Sequence, residues 1–118
     1  MTEIKIQDIM NRSTSANTIM SSIATFAPEF GNMVAETLNQ ISKRETLDKK
    51  TQEMILLGSL VSTGAIPQVK VHIEIALNLG LTIEEIKAVF FHCIPICGFP
   101  NVTNALYAMY EVLNNRNK

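Results

Sequence analysis

Tryptophan is absent from the 118-residue chain, and aromatic residues make up only 6% of it. Exposed aromatic rings are the usual platforms for unpaired bases, so their scarcity counts against single-stranded nucleic acid. An excess of one charge is lacking too: ten basic residues face eleven acidic ones, for a net charge of −1. Phosphate backbones need clustered Lys and Arg. The two short basic groups, Lys43-Arg44 and Lys49-Lys50, flank an expected turn and read as solvated. No nucleic-acid partner is expected.

Only two cysteines occur, Cys93 and Cys97. That is too few for a disulfide-built secreted fold, and a reducing cytoplasm is the default setting. Long apolar runs are missing: none approaches the roughly 18 to 20 residues that span a bilayer. The opening MTEIKIQDIM carries acids where a signal peptide has an apolar stretch. A cytoplasmic protein without a membrane partner is the expectation. No Gly-rich phosphate loop or dinucleotide fingerprint appears, and His72, His92 and the cysteines form no dense ligand motif. Neither a cofactor nor a metal is expected.

What the chain does have is apolar residue at helical spacing. Apolar residues make up 47% and charged residues 18%, the balance of a globular protein. The length suits one domain with one modest core. Ser15 is an expected cap for a short helix carrying Ile19, Met20, Ile23 and Phe26. Pro28 breaks that helix and opens a second, with Phe30, Met33, Val34, Leu38 and Ile41. The polar SKRETLDKK leads to a third, capped by Asp48, which is apolar almost all round from Met54 to Val61 and is expected at the centre of the core. Gly64 ends it.

Pro67 begins a fourth helix that Gly80 closes. Thr82 and Glu85 form a capping box for a fifth, with Ile86, Val89, Phe90 and Cys93 on one stripe. Pro95 weakens and Gly98 stops it. Phe99-Pro100 opens the last helix, with Val102, Leu106, Met109, Tyr110 and Leu113. The expectation is an all-α, single-domain bundle of about six helices. It comprises an N-terminal segment 1–14, a helical domain 15–114, and a polar tail 115–118 that frays.

Two groups of residues can carry chemistry. Glu53 lies in the first turns of the apolar third helix, on the face of Leu57 and Leu60. A carboxylate there is near the positive end of the helix dipole or partly desolvated. His72 shares a helical face with Gln68, Ala76 and Leu79 and borders the apolar side, and imidazole exchanges protons near neutral pH. The short GAIP connection allows the two to meet within one chain, and contact across subunits is equally open. The second group is HCIPICGFP. His92 could activate Cys93, although Cys93 and Cys97 also continue the apolar stripe as small buried residues would.

The run H-x-x-x-A-L-x-x-G-L-T-x-E-E-I from His72 to Ile86 resembles the carboxymuconolactone decarboxylase family, of the alkylhydroperoxidase D-like superfamily. So do G-F-P at Gly98 to Pro100 and Asn104-Ala105. The resemblance implies an all-α bundle assembled into homotrimers or homohexamers, with sites near subunit contacts and a small-molecule substrate. The thiol-dependent branch of the superfamily carries C-x-x-C-x-x-x-H; aligned on His72, its thiol positions fall on Ala65 and Gln68, which cannot form a disulfide. That branch's glutamate falls on Glu53. A tyrosine common in the family is replaced by Ile96.

The resemblance therefore implies an enzyme in which Glu53 and His72 exchange protons with an organic acid or lactone, in a pocket walled by apolar residues of the third and fifth helices. Two alternatives stand beside it. One is a thiol-dependent, peroxiredoxin-type antioxidant using Cys93 or Cys97. The other is a non-catalytic helical oligomer acting through protein contacts.

Overall fold

The computed structural model describes residues 14–117. All regular structure in that range is helical: α1 (Thr14–Phe26), α2 (Pro28–Ser42), α3 (Lys49–Thr63), α4 (Ile66–Asn78) and α5 (Ile83–Arg116). The last is two helical arms, because Gly98 between them has φ 80° and ψ 174°. Counted that way, the six expected helical segments are present. Contacts group the chain into two units that divide between Asp48 and Lys49.

In the first unit α1 packs on α2. The break between them follows from Pro28, which takes the first turn of α2 and forces Ala27 out of helical geometry, to φ −144° and ψ 71°. Ser15 is not the cap that the sequence suggests: α1 already includes Thr14, which places Ser15 inside the helix. Phe26, Phe30, Met33 and Ile41 remain exposed.

In the second unit α3, α4 and α5 pack pairwise. Glycine sets both tight connections. Gly64 (φ 74°) and Gly80 (φ 95°) take a left-handed conformation that costs a side chain about 1–2 kcal/mol. Each closes the same two-bond cap. Gly64 N–H donates to Val61 C=O at 3.1 Å and Ala65 N–H to Leu60 C=O at 3.0 Å. Gly80 N–H donates to Leu77 C=O at 3.1 Å and Leu81 N–H to Ala76 C=O at 3.0 Å. These caps satisfy carbonyls that would otherwise be orphaned, and the two-residue link after α3 folds α4 back along it.

The entry to α5 is equally well determined. Glu85 N–H donates to Thr82 Oγ1 at 3.0 Å, and Thr82 N–H to Glu85 Oε1 at 2.9 Å, completing the capping box. At the other end the helix continues through Asn114 and Asn115 to Arg116, where Arg116 Nη2 donates to Asn78 Oδ1 at 3.1 Å. The polar tail is thus helical further than its composition implied.

The core is formed by Leu57 and Val61 of α3, Val69, Ile73 and Ala76 of α4, and Ile86, Phe90, Val102, Ala105 and Met109 of α5. The apolar third helix does lie in the core, but by one stripe only. Its inward stripe is Glu53, Leu57 and Val61, whereas Ile55 and Leu56 are exposed. Within its unit α3 has neighbours on two sides only, so a third side has nothing to pack against there. Against the sequence expectation that no segment is long and apolar enough to cross a membrane, α5 is so by length and composition. It is nonetheless broken at Gly98 and lends its inner stripe to this core.

Candidate active site

Helical spacing explains how Glu53 comes to be buried. It stands four residues before Leu57 and eight before Val61, so the stripe that carries both into the core carries the carboxylate with them. Only 7% of Glu53 is exposed, and it is the one charged residue buried among those described. A carboxylate withdrawn from water to that degree needs a strong partner.

His72 supplies it. One residue before the fully buried Ile73, the imidazole sits on the edge of the α4 core stripe with a fifth of its side chain exposed. Its Nδ1 lies 2.9 Å from Glu53 Oε2. The pair forms within one chain across the α3–α4 hairpin, which resolves the choice between intrachain and intersubunit contact. An ionised carboxylate only accepts hydrogen bonds. Beside an ionised Glu53, a neutral His72 would carry its hydrogen on Nδ1 and leave Nε2 without one. When His72 is protonated, the same carboxylate stabilises the cation.

The other group of sequence-predicted residues lies on the opposite side of α3. A groove of about 510 Å³ runs between α3 and the first arm of α5, and its lining includes Met54, Gly58, Val89, His92 and Cys93. Glu53 and His72 do not line it, so the expectation that the pocket walled by these two helices holds the proton-handling pair is corrected. His92 is exposed, and its Nδ1 donates to Ala88 C=O at 2.7 Å. Cys93 is buried, with Sγ 3.3 Å from Val89 C=O and 3.6 Å from Gly58 C=O. Cys97 is half-buried, and both thiols are free.

Burial pushes the Cys93 thiol above its ordinary value, against a smaller opposing hydrogen bond from Ser62; the nearby Cys97 adds to the rise. A redox cysteine needs the reverse shift. His92 is turned to its own helix backbone rather than to Cys93, so the geometry favours the packing reading of Cys93 over the alternative of an imidazole-activated thiol. Among the described residues no three of His, Cys, Asp and Glu gather where a metal ion could be held.

Sequence reasoning missed two features. Asn101, opening the second arm of α5, donates from Nδ2 to Ser62 C=O at 3.3 Å and so ties that arm to the end of α3. Gly58, in mid-helix, floors the groove: a methyl group there would stand 3.8 Å from both Cys93 Sγ and Val89 Cγ1. An isolated glycine inside a helical pattern is the signal that could have marked it.

The sequence profile of the carboxymuconolactone decarboxylase family matches residues 28–111. The chain belongs to this family. A 4-carboxymuconolactone decarboxylase of Acinetobacter baylyi is 23% identical over 115 residues, covering 97% of this chain and 81% of that protein. An uncharacterized protein of Methanocaldococcus jannaschii is 30% identical over 89 residues, 75% of this chain and 83% of its own length. A nitrosuccinic acid decarboxylase of Metarhizium robertsii is 27% identical over 73 residues, 62% of this chain and 51% of that protein. Membership of the carboxymuconolactone decarboxylase family and two relatives that carry decarboxylase names support a decarboxylase-family enzyme.

Proposed function

We propose that the chain is a lyase that removes carbon dioxide from a small organic acid or lactone acid, with Glu53 and His72 handling the proton. One observation carries the reading: a buried carboxylate 2.9 Å from a partly exposed imidazole. The decarboxylase names of two relatives supply the reaction class.

The chemistry balances as follows. In a β-keto or vinylogous acid the bond from the carboxylate to its neighbouring carbon breaks. Its electron pair moves into the conjugated carbonyl, and carbon dioxide leaves. The resulting enolate takes a proton at carbon from Nε2–H of protonated His72. Neutral His72 then recovers a proton from water, so each turnover consumes one. Glu53 keeps its charge throughout, fixes the ring through Nδ1 and stabilises the imidazolium that donates. Glu53 is thus the positioning residue and His72 the catalytic one.

A panel of β-keto and vinylogous acids, assayed by carbon dioxide release, tests the reading. His72→Gln should lose at least about a hundredfold in kcat, the low end of the general-acid contribution, with an unchanged far-ultraviolet circular dichroism spectrum. Equal turnover in that variant rejects the role.

We also propose that protomers assemble as a homotrimer or homohexamer. Phe91, Ile96, Phe99, Tyr107 and Tyr110 all lie along α5 and are exposed, Ile96 by 83%. A second copy is the simplest cover for so much apolar surface. Sedimentation at a single low-micromolar concentration decides this: a monomer there rules the assembly out.

A further inference from the structure

The groove between α3 and the first arm of α5 is not used by the Glu53–His72 chemistry, and it has the properties of a ligand site of its own. Its volume of about 510 Å³ falls within the range of small-molecule pockets, roughly 300–1,000 Å³. Its walls are mostly apolar, from Met54, Ile55, Ala88 and Val89, and Gly58 keeps its floor open. An account of its polar side chains shows what the occupant must offer. Thr51 has a partner. Glu85 accepts from Thr82 N–H, and Cys93 faces the carbonyls of Gly58 and Val89. His92 donates through Nδ1 to Ala88 C=O, so in the neutral ring Nε2 is an acceptor left for a ligand.

The acceptor character of His92 Nε2 decides between ligand classes. The hydrogen bond from Thr82 N–H holds the Glu85 carboxyl below its ordinary range, so it is anionic at neutral pH. It lies on the same face of α5 as His92, two turns away and roughly 10 Å along the axis. A carboxylate ligand would find an acceptor nitrogen where it needs a donor, and the Glu85 charge, partly offset by Lys50, gives it no attraction. A neutral hydroxyl avoids that mismatch, because it donates to Nε2 while an aromatic body covers Met54, Ile55 and Val89. We propose that this groove binds a neutral hydroxylated aromatic molecule of the phenol class, at a site distinct from Glu53 and His72.

The test is titration of the ¹⁵N-labelled protein with 4-propylphenol at pH 8, read by amide shifts, beside 4-propylbenzoate. The phenol should produce saturating shifts centred on Gly58, Val89, His92 and Cys93. The benzoate should bind at least about fivefold more weakly, and His92→Ala should weaken the phenol by about fivefold, the value of one hydrogen bond. Gly58→Leu should abolish the shifts by filling the floor. Should that variant fold poorly, Ala88→Trp fills the groove from its exposed rim and should do the same. Phenol binding that survives the filling of the groove overturns the proposal. So does benzoate binding equal to phenol binding, or the lack of any saturable shift.

Discussion

Removing either partner of the buried pair should cost stability, and the two costs should be unequal. His72→Ala leaves Glu53, only 7% exposed, without its hydrogen-bond donor. A buried charge stripped of its partner costs about 3–5 kcal/mol. The low end applies, because the space vacated by the ring admits water, and the expected loss is about 3 kcal/mol. Glu53→Ala strands no charge, because the imidazole can sit neutral with a fifth of its surface already in solvent. The loss is then about 2 kcal/mol, the value of one hydrogen bond to a charged group. Side-chain packing enters each single variant and cancels in the double variant. The coupling energy should therefore be about 1.5 kcal/mol, the low end for such a bond.

The assay is urea unfolding of all four proteins, followed by far-ultraviolet circular dichroism at pH 7 and one protein concentration. Additivity within about 0.5 kcal/mol means that the pair does not interact in solution. A larger loss for Glu53→Ala than for His72→Ala refutes the argument about which group is stranded.

Three further outcomes follow from the backbone and the titrating groups. Gly98→Ala should lower stability by about 1–3 kcal/mol, because φ 80° with ψ 174° is a conformation open essentially to glycine alone, and a thermal melt reads the loss. The Glu85 carboxyl is held below its ordinary value of 4.5, chiefly by the Thr82 backbone N–H. A depressed acid stabilises the fold above the unfolded value and loses that contribution as pH falls through the folded one. The stability gap between the native chain and Glu85→Gln should therefore be full above pH 4.5 and close below it, as acid unfolding curves would show. Cys93, raised by burial, should alkylate with iodoacetamide at pH 7 more slowly than a free thiol does, and a faster reaction would revive the redox reading.

Much of this arrangement could be read from local chemistry. Pro28, Gly64, Gly80 and the Thr82–Glu85 box each act within a few residues, so the breaks they impose are visible in the sequence. Glu53 and His72 were also recognisable, since each sits on or beside a periodic apolar stripe and a two-residue turn folds one helix against the other. That they meet within the chain was not, because they lie 19 residues apart and at unequal distances from the turn. Apolar walls from the third and fifth helices are legible in their stripes, whereas the floor, a missing side chain at Gly58, and the separation of the groove from Glu53 and His72 are not. Likewise Asn101 reaches Ser62, 39 residues away, and no spacing rule connects them. The thiol alternative turns on direction: adjacency in sequence puts His92 beside Cys93, but neighbours on a helix point about 100° apart.

The most direct measurement is the tautomer of His72, read from its two ring ¹⁵N shifts in the intact protein at a pH where the ring is neutral. If Glu53 fixes the ring for proton transfer, Nδ1 carries the hydrogen and Nε2 shows the shift of a bare imine nitrogen. A hydrogen found on Nε2 instead would mean that the carboxylate does not orient this imidazole, and the proposed catalytic pair would be lost.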